Sequence, residues 1–334
     1  MMVEALIAGA PVARAQAVAA AGRLLDASAN PLIVAGMMDC GAAEAALDLA
    51  RAARASFDHE NAAAALAELD VMRQAGWLVA TPLEARALAD CVLLVGSAVA
   101  DFLSTPPPLA PARGRKVMRL AGDDLMARLG LLRALIGGRA IAADPALAAL
   151  AAALRAAHFA VVHWSAEEIP PLAIEMLCGM IEDLNETTRC FGLPQPGANN
   201  VAGVTQACAW KTGLPPRVTF APDQARHDPW RLDAARMVAG GEADVALWIG
   251  AELPSWAGRV RLISLVPATA ALAPMPEIVI FTGRPGIDHH AILHDPALGA
   301  LAFKRAATPS AEIPPAAASL AAITAALAGE MVSC

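Results

Sequence analysis

The sequence predicts an α/β fold with mainly parallel sheets, on three observations. Short apolar runs such as Leu32–Gly36, Cys91–Val95, Phe159–Trp164 and Val245–Gly250 recur between Ala/Leu-rich stretches of helical length. Strands alternating with helices imply right-handed βαβ units and sheets covered on both faces. Several strand ends meet small residues, at Gly36, Gly96-Ser97 and Gly250-Ala251, where open α/β sheets hold their ligands. Finally, 334 residues, 57% of them hydrophobic, suffice for two domains or for one large α/β body with an inserted lobe.

In chain order, Ala13–Ala27 predicts a helix, Asn30-Pro31 a turn and Leu32–Gly36 a buried strand. Asp39–Arg54 predicts a second helix, with Glu44, Asp48 and Arg51 on its solvated face, leading into a strand over Ala55–His59. A helix over Ala62–Gln74, a strand over Trp77–Thr81 and a short helix from Pro82 precede the strand Cys91–Val95. Lys116–Leu120 predicts a strand, Ala146–Ala157 a helix, Phe159–Trp164 a strand and Pro171–Asn185 a helix. The last third predicts a helix over Trp230–Ala239 and strands over Val245–Gly250, Val260–Leu265 and Glu277–Phe281. Two segments break this rhythm. The proline-stiffened Ser104–Pro111 reads as a connector or docking arm. The Pro/Ala-rich Ala306–Pro315 closes the folded body, leaving Ala316–Met331 as an Ala-rich helix that is either a partner-facing tail or a solvent-exposed terminal helix.

Composition excludes several classes. A net charge of -7 without a Lys/Arg cluster argues against nucleic acid. No apolar run reaches the ~20 residues of a membrane span. The start, with Glu4 and no basic residue before its apolar stretch, lacks the pattern of a secretory signal, so a cytoplasmic location is expected. Charged residues are only 17% of the chain, and surplus apolar area on this scale predicts burial against other subunits. The six cysteines, Cys40, Cys91, Cys178, Cys190, Cys208 and Cys334, form no CxxC pair and read as reduced structural thiols. The strand-end glycines do not form Gly-x-Gly-x-x-Gly, so a dinucleotide fingerprint is absent.

The most informative stretch is Gly197–Pro215, GANNVAGVTQACAWKTGLP. Gly and Asn supply turns and positive φ, and the paired amides of Asn199 and Asn200, with Gln206, can bind a ligand's edge or tie down neighbouring loops. A ligand site and a well-ordered internal loop are both compatible with this composition.

That run, together with PLIVAG at 31–36, VLLVGSAVADF at 92–102 and GGEADVALWIGAELP at 240–254, resembles the B subunit of formylmethanofuran dehydrogenases, of the molybdopterin oxidoreductase fold group. The resemblance covers most of the chain and implies two Rossmann-like parallel-sheet lobes. One comprises 1–70 and 196–310, the second, 71–195, is inserted in it, and an Ala-rich tail follows at 311–334. In that family this polypeptide holds a tungsten or molybdenum pterin through a cysteine or selenocysteine and carries a cysteine motif for an iron–sulfur cluster. Here the cluster motif is missing, and Asp58-His59-Glu60 stands where the metal-ligating cysteine would fall. A carboxylate is a poor substitute for a thiolate on a soft, high-valent metal. Arg226 falls where the family keeps an active-site arginine, so Asp58, His59, Arg226, Asn199, Asn200 and Gln206 are expected to line a vestigial pocket.

A metal-free chain of this kind is similar to the corresponding one in the formyltransferase/hydrolase complex of methylotrophic bacteria. The resemblance implies a scaffold with no catalytic, cofactor-binding or metal-binding residue of its own. Its partners would be an amidohydrolase-like catalytic subunit, a formyltransferase subunit and a further structural subunit. Together they would move a formyl group from tetrahydromethanopterin to a methanofuran-like carrier and release it as formate. The alternative is a pterin-metal oxidoreductase of the dehydrogenase type.

Other chemistry is weaker. His59 beside Asp58 and Glu60 is either an acid/base cluster or a strand-end histidine bonded to backbone. His290 and His294, with Asp288, His289 and Asp295 nearby, would share a helix face as zinc ligands, but Pro285-Gly286 and Pro296 argue for a loop. Cys190 and Cys208 lack a neighbouring histidine and default to structural thiols. Trp210, Trp248 and Trp256 are core or interface aromatics, with Trp248 favoured for the core because it sits inside a strand.

Overall fold

Three stretches of sequence build one compact unit and a single intervening stretch builds most of another. The computed structural model describes residues 3–76, 78–97, 99, 114–142, 144–220 and 224–329. The first unit comprises Met1–Ala63, Ala198–His294 and Leu301–Cys334, and the second Ala64–Gly197 with Asp295–Ala300. The first part of the chain gives β1 (Ala5–Ile7), β2 (Ala10–Val12), α1 (Arg14–Asp26), β3 (Pro31–Ala35), α2 (Cys40–Ala52), β4 (Ser56–His59) and α3 (Ala62–Ala75). Next come α4 (Pro82–Leu88), β5 (Cys91–Val95), β6 (Lys116–Leu120), α5 (Leu125–Ile136), α6 (Pro145–Ala156), β7 (Ala160–Trp164), α7 (Pro171–Asn185) and β8 (Cys190–Pro194). The chain then forms α8 (Val201–Thr212), β9 (Val218–Thr219), β10 (Arg226–His227), α9 (Ala234–Ala239), β11 (Val245–Ile249), β12 (Arg261–Val266), β13 (Ile278–Phe281), β14 (Ala291–Asp295), β15 (Ala300–Lys304) and α10 (Ala316–Leu327).

In the first unit the sheet order is β10-β9-β4-β3-β11-β12-β13-β1-β2. Its central strands β4, β3, β11, β12 and β13 are parallel, while β1, β2, β9 and β10 flank them antiparallel. The run Pro-Leu-Ile-Val-Ala of β3 is buried at all five positions, as a strand covered on both faces requires. On one face Ile33, Ala35, Leu247, Ile249 and Leu265 pack under α1, α2, α8 and α10. On the other, Leu32, Val34, Trp248 and Val266 meet α9 and the Trp256 segment.

The second unit holds a four-stranded parallel sheet in the order β6-β5-β7-β8. Leu93, Val95, Ala160, Val162 and Trp164 pack on one side with residues of α5, α6 and α7, and Val92, Leu94 and Val161 on the other with Ala85 and Ala89 of the α4 segment. Its helices start where the sequence provides caps. Thr81 and Glu84 form a reciprocal capping box at α4, with Pro82 in the first turn, and Asp144 accepts from Leu147 N at 2.7 Å to open α6. Among the described residues no helix is long and apolar enough to cross a membrane.

Several expectations are corrected. Gly197–Pro215 is not a loop throughout. Asn199 and Asn200 adopt positive φ of 54° and 59°, α8 starts at once, and Gly213 ends it in the left-handed region at φ 76°. The helix expected over Trp230–Ala239 begins only at Ala234, because Asp233 caps it by accepting from Arg236 N at 2.8 Å. Trp77 and Ser104–Pro111 lie outside the described residues, and among the described residues of 78–81 only Val79 forms a bridge, to Gly192. The sequence reading missed α5 and β8. The terminal helix is not a free tail. Ser319, Leu320 and Ile323 of α10 are buried against α1 and α2, and Gly22 lets Ala326 approach.

Candidate functional site

Within the first unit the chain leaves β3 through α2 for β4 on one side, whereas β11 leads to β12 and β13 on the other. The strand order therefore reverses between β3 and β11, the position where open α/β sheets form a ligand crevice. Gly36 and Gly250 stand at this point. A Cβ on Gly36 would lie 2.8 Å from the Trp248 ring, and one on Gly250 2.7 Å from it. Glycine is required here because the indole lies across both strand ends. The ring is 2% exposed, its Nε1 donates to Glu252 O at 2.6 Å, and Trp256 meets it edge-on at 6.0 Å. One half of the crevice is thus filled by the protein's own side chain.

The end of β4 supplies the other candidate residues. Asp58 is in register with Val34, and His59 with Ala35. Successive side chains on a strand point to opposite faces, so Asp58 projects towards α9 and His59 towards α8. This geometry overturns the acid/base cluster, because Asp58 cannot orient the imidazole of its neighbour. Asp58 Oδ2 accepts from Ala234 N at 2.8 Å, while Oδ1 accepts from His59 N at 2.7 Å and lies 3.4 Å from Arg217 Nε. Burial raises the Asp58 carboxyl to about 6, opposed by the Arg217 charge. Arg217 also pairs with Asp233 and donates to Pro229 O.

His59 is locked as a neutral ring. Its Nδ1 accepts from Asn61 N at 3.0 Å, so the proton sits on Nε2, which donates to Asn199 O at 3.1 Å. Burial pushes the imidazole down to about 4. The asparagine pair completes a fastening. Asn199 Nδ2 donates to Glu60 Oε1 at 2.5 Å and Asn61 Oδ1 at 3.2 Å. Asn200 Nδ2 donates to Met38 O at 2.8 Å, and its Oδ1 accepts from His294 N at 2.8 Å. Gly203 leaves room for that amide, since a Cβ would stand 2.6 Å from Asn200 Oδ1. The two amides therefore join the loop after β3, the end of β4, the start of α8 and β14.

The structure brings Asp58, His59, Asn199 and Asn200 to one end of the sheet. Gln206 is half-buried farther along α8, and Arg226 is exposed on β10. The arginine against Asp58 is Arg217, which the sequence reading missed: a lone arginine after Pro215-Pro216 carries no local signal. His290 and His294 do not share a helix face, since His294 lies within β14 and His290 just precedes it. Among the described residues no group of three or more His, Cys, Asp or Glu is placed to hold a metal. Cys190 and Cys208 are buried, which raises each thiol to about 12, far from a reactive thiolate. Trp248 is core, and Trp210 is 61% exposed.

No family model matches the chain. It is 34% identical over 322 residues to the B subunit of the formyltransferase/hydrolase complex Fhc of Methylorubrum extorquens, covering 88% of this chain and 89% of that protein. It is 28% identical over 117 residues to the B subunit of the tungsten-containing formylmethanofuran dehydrogenase 2 of Methanocaldococcus jannaschii, 33% of this chain and 27% of that one. The crystal structure of the formyltransferase/hydrolase complex (FhcABCD) from Methylorubrum extorquens with methylofuran contains a chain that matches with a TM-score of 0.86 at 32% identity. That match covers 98% of this chain and 100% of that chain.

Proposed function

The chain belongs to the B-subunit family of formyltransferase/hydrolase complexes, and from that membership we propose that it is a structural, non-catalytic component of such a complex. The complex passes a formyl group from tetrahydromethanopterin to a methanofuran-like carrier and releases it as formate in the cytoplasm. Transfer and hydrolysis fall to a formyltransferase subunit and an amidohydrolase-like subunit, with a further structural subunit alongside.

The observation that carries the non-catalytic reading is the internal use of His59. Both ring nitrogens are committed to backbone groups, and Asp58 is spent on Arg217 and the first turn of α9. A general base needs a free lone pair within reach of a substrate proton. The same residues do not fit the pterin-bound metal of the dehydrogenase relatives. No thiolate stands at the end of β4, and Trp248 lies across the strand ends at Gly36 and Gly250. Trp210, Trp230 and Phe303 are 61%, 68% and 66% exposed, and aromatic surface of this kind suits burial by partner subunits.

Co-expression of the tagged chain with its neighbouring subunits tests this reading. Partner subunits should co-purify, and Asn199→Ala should lower the yield of assembled complex while leaving turnover per assembled complex unchanged. Stoichiometric molybdenum or tungsten in this chain, with formate-dependent dye reduction, would establish the oxidoreductase alternative instead.

A further inference from the structure

The half of the switch-point crevice that Trp248 leaves open is a cavity of about 150 Å³ on the opposite face of the sheet, at the ends of β11, β12 and β13 and against the first turn of α2. Met38, Ile249, Leu265 and Ile287 make its walls largely apolar, and Asp39 and His289 are set into them. Asp39 is 9% exposed. Its Oδ1 accepts from Ala42 N at 2.8 Å and caps α2, while Oδ2 receives no hydrogen bond among the described residues. Burial raises this carboxyl, and the hydrogen bond from Ala42 N opposes the shift.

His289 adds a second acceptor. Its Nδ1 lies 2.8 Å from His290 O, and a carbonyl can only accept, so in the neutral ring Nδ1 carries the proton and Nε2 keeps its lone pair. Arg284, the cation on the cavity's rim, is bound to Asp288 through Nε at 2.9 Å and Nη2 at 3.2 Å. Asp39 Oδ2 has no protein donor among the described residues, and what complements two acceptors in an apolar recess is a donor-rich group on an apolar body.

We propose that this cavity binds a primary amine or amidine carried on a small flat ring, with its N–H groups on Asp39 Oδ2 and His289 Nε2 and its ring against Met38, Ile249 and Leu265. The proposal does not rest on the assembly role: every group that would hold the ligand belongs to this chain. Binding can be followed by the methyl resonances of Met37 and Met38 in the 334-residue chain, isolated with whatever subunits accompany it. Benzylamine and benzamidine are the probes, and toluene and benzoate the comparators.

The amines should shift these resonances saturably, and toluene and benzoate should bind far more weakly. Asp39→Asn keeps an oxygen to cap α2 but loses the charge, and should weaken benzylamine about tenfold to a hundredfold. Equal binding of toluene, undiminished binding by Asp39→Asn, or no saturable shift would each overturn the proposal. Should Asp39→Asn fail to fold, the comparison of benzylamine with toluene in the unaltered chain decides alone.

Discussion

His59 Nε2 donates to the backbone carbonyl of Asn199 across 3.1 Å, although 140 residues separate the two in sequence. The contact ties together the points where the chain leaves the first unit and returns to it. Replacing His59 by Ala leaves the Asn61 N–H and the Asn199 carbonyl without this partner, at a cost of about 1–3 kcal/mol for each group that stays buried and unsatisfied. Urea denaturation of His59→Ala should show a loss in that range.

The two candidate arginines separate cleanly. Arg217→Ala strands Asp58 and Asp233 and should destabilise the chain by about 3–5 kcal/mol. Arg226→Ala, at an exposed position, should stay within about 0.5 kcal/mol of the parent. Equal effects in the same denaturation assay would contradict the placement of Arg217 beside Asp58.

Gly250→Ala drives a methyl group into the Trp248 indole, with 2.7 Å between them before relaxation. Overpacking of this kind costs about 1–3 kcal/mol. Combining it with Trp248→Phe should cost less than the sum of the two single changes, because the smaller ring relieves the clash. Additive losses in a double-mutant cycle would show that the ring does not press on Gly250.

Glu68 in the second unit governs a pH effect. It accepts from Trp164 Nε1 at 3.0 Å, and burial, with Glu167 adding to it, raises its carboxyl to about 7. The folded chain keeps this proton to about pH 7 while the unfolded chain releases it near its ordinary value. Stability is therefore fully present below the unfolded pKa and is lost as pH rises through about 7. Glu68→Gln keeps an acceptor for Trp164 and removes that loss. It should raise stability at pH 8 by about 1–3 kcal/mol and change little at about pH 4, read as urea midpoints.

Leu320 and Ile323 are fully buried on α10. Leu320→Ala should cost about 2–5 kcal/mol, measured by thermal or urea unfolding. A solvent-exposed terminal helix would show almost no change.

The parallel strands and most helices were legible in the sequence because uninterrupted aliphatic runs such as Pro31–Ala35 and Cys91–Val95 are long enough to identify buried strands, and Ala/Leu stretches fill the intervals. The omissions have specific causes. Cys190–Pro194 carries Gly192 and Pro194, which read as breakers, yet a side chain at 192 would meet the Trp164 ring at 2.6 Å, so glycine is what lets this strand pass. Leu125–Ile136 spreads its apolar residues around the helix and shows no clear face. In the site, Asn199 and Asn200 could be found from composition and His59 from the family resemblance, but Arg217 from neither. Its contact with Asp58 depends on β9 pairing antiparallel with β4, and no local spacing encodes that pairing.

The discontinuity of the first unit sets an order on synthesis. Nearly all of the second unit is contiguous, so it can fold once Gly197 has left the ribosome. By contrast, β3 waits for β11 to be translated before it gains its inner neighbour, and the face of α1 and α2 stays uncovered until α10 emerges. Domains fold as units as the nascent chain appears, and exposed apolar faces invite aggregation meanwhile. Translation that stalls within the last helix should therefore release a chain whose inserted unit is native and whose enclosing unit is a chaperone client.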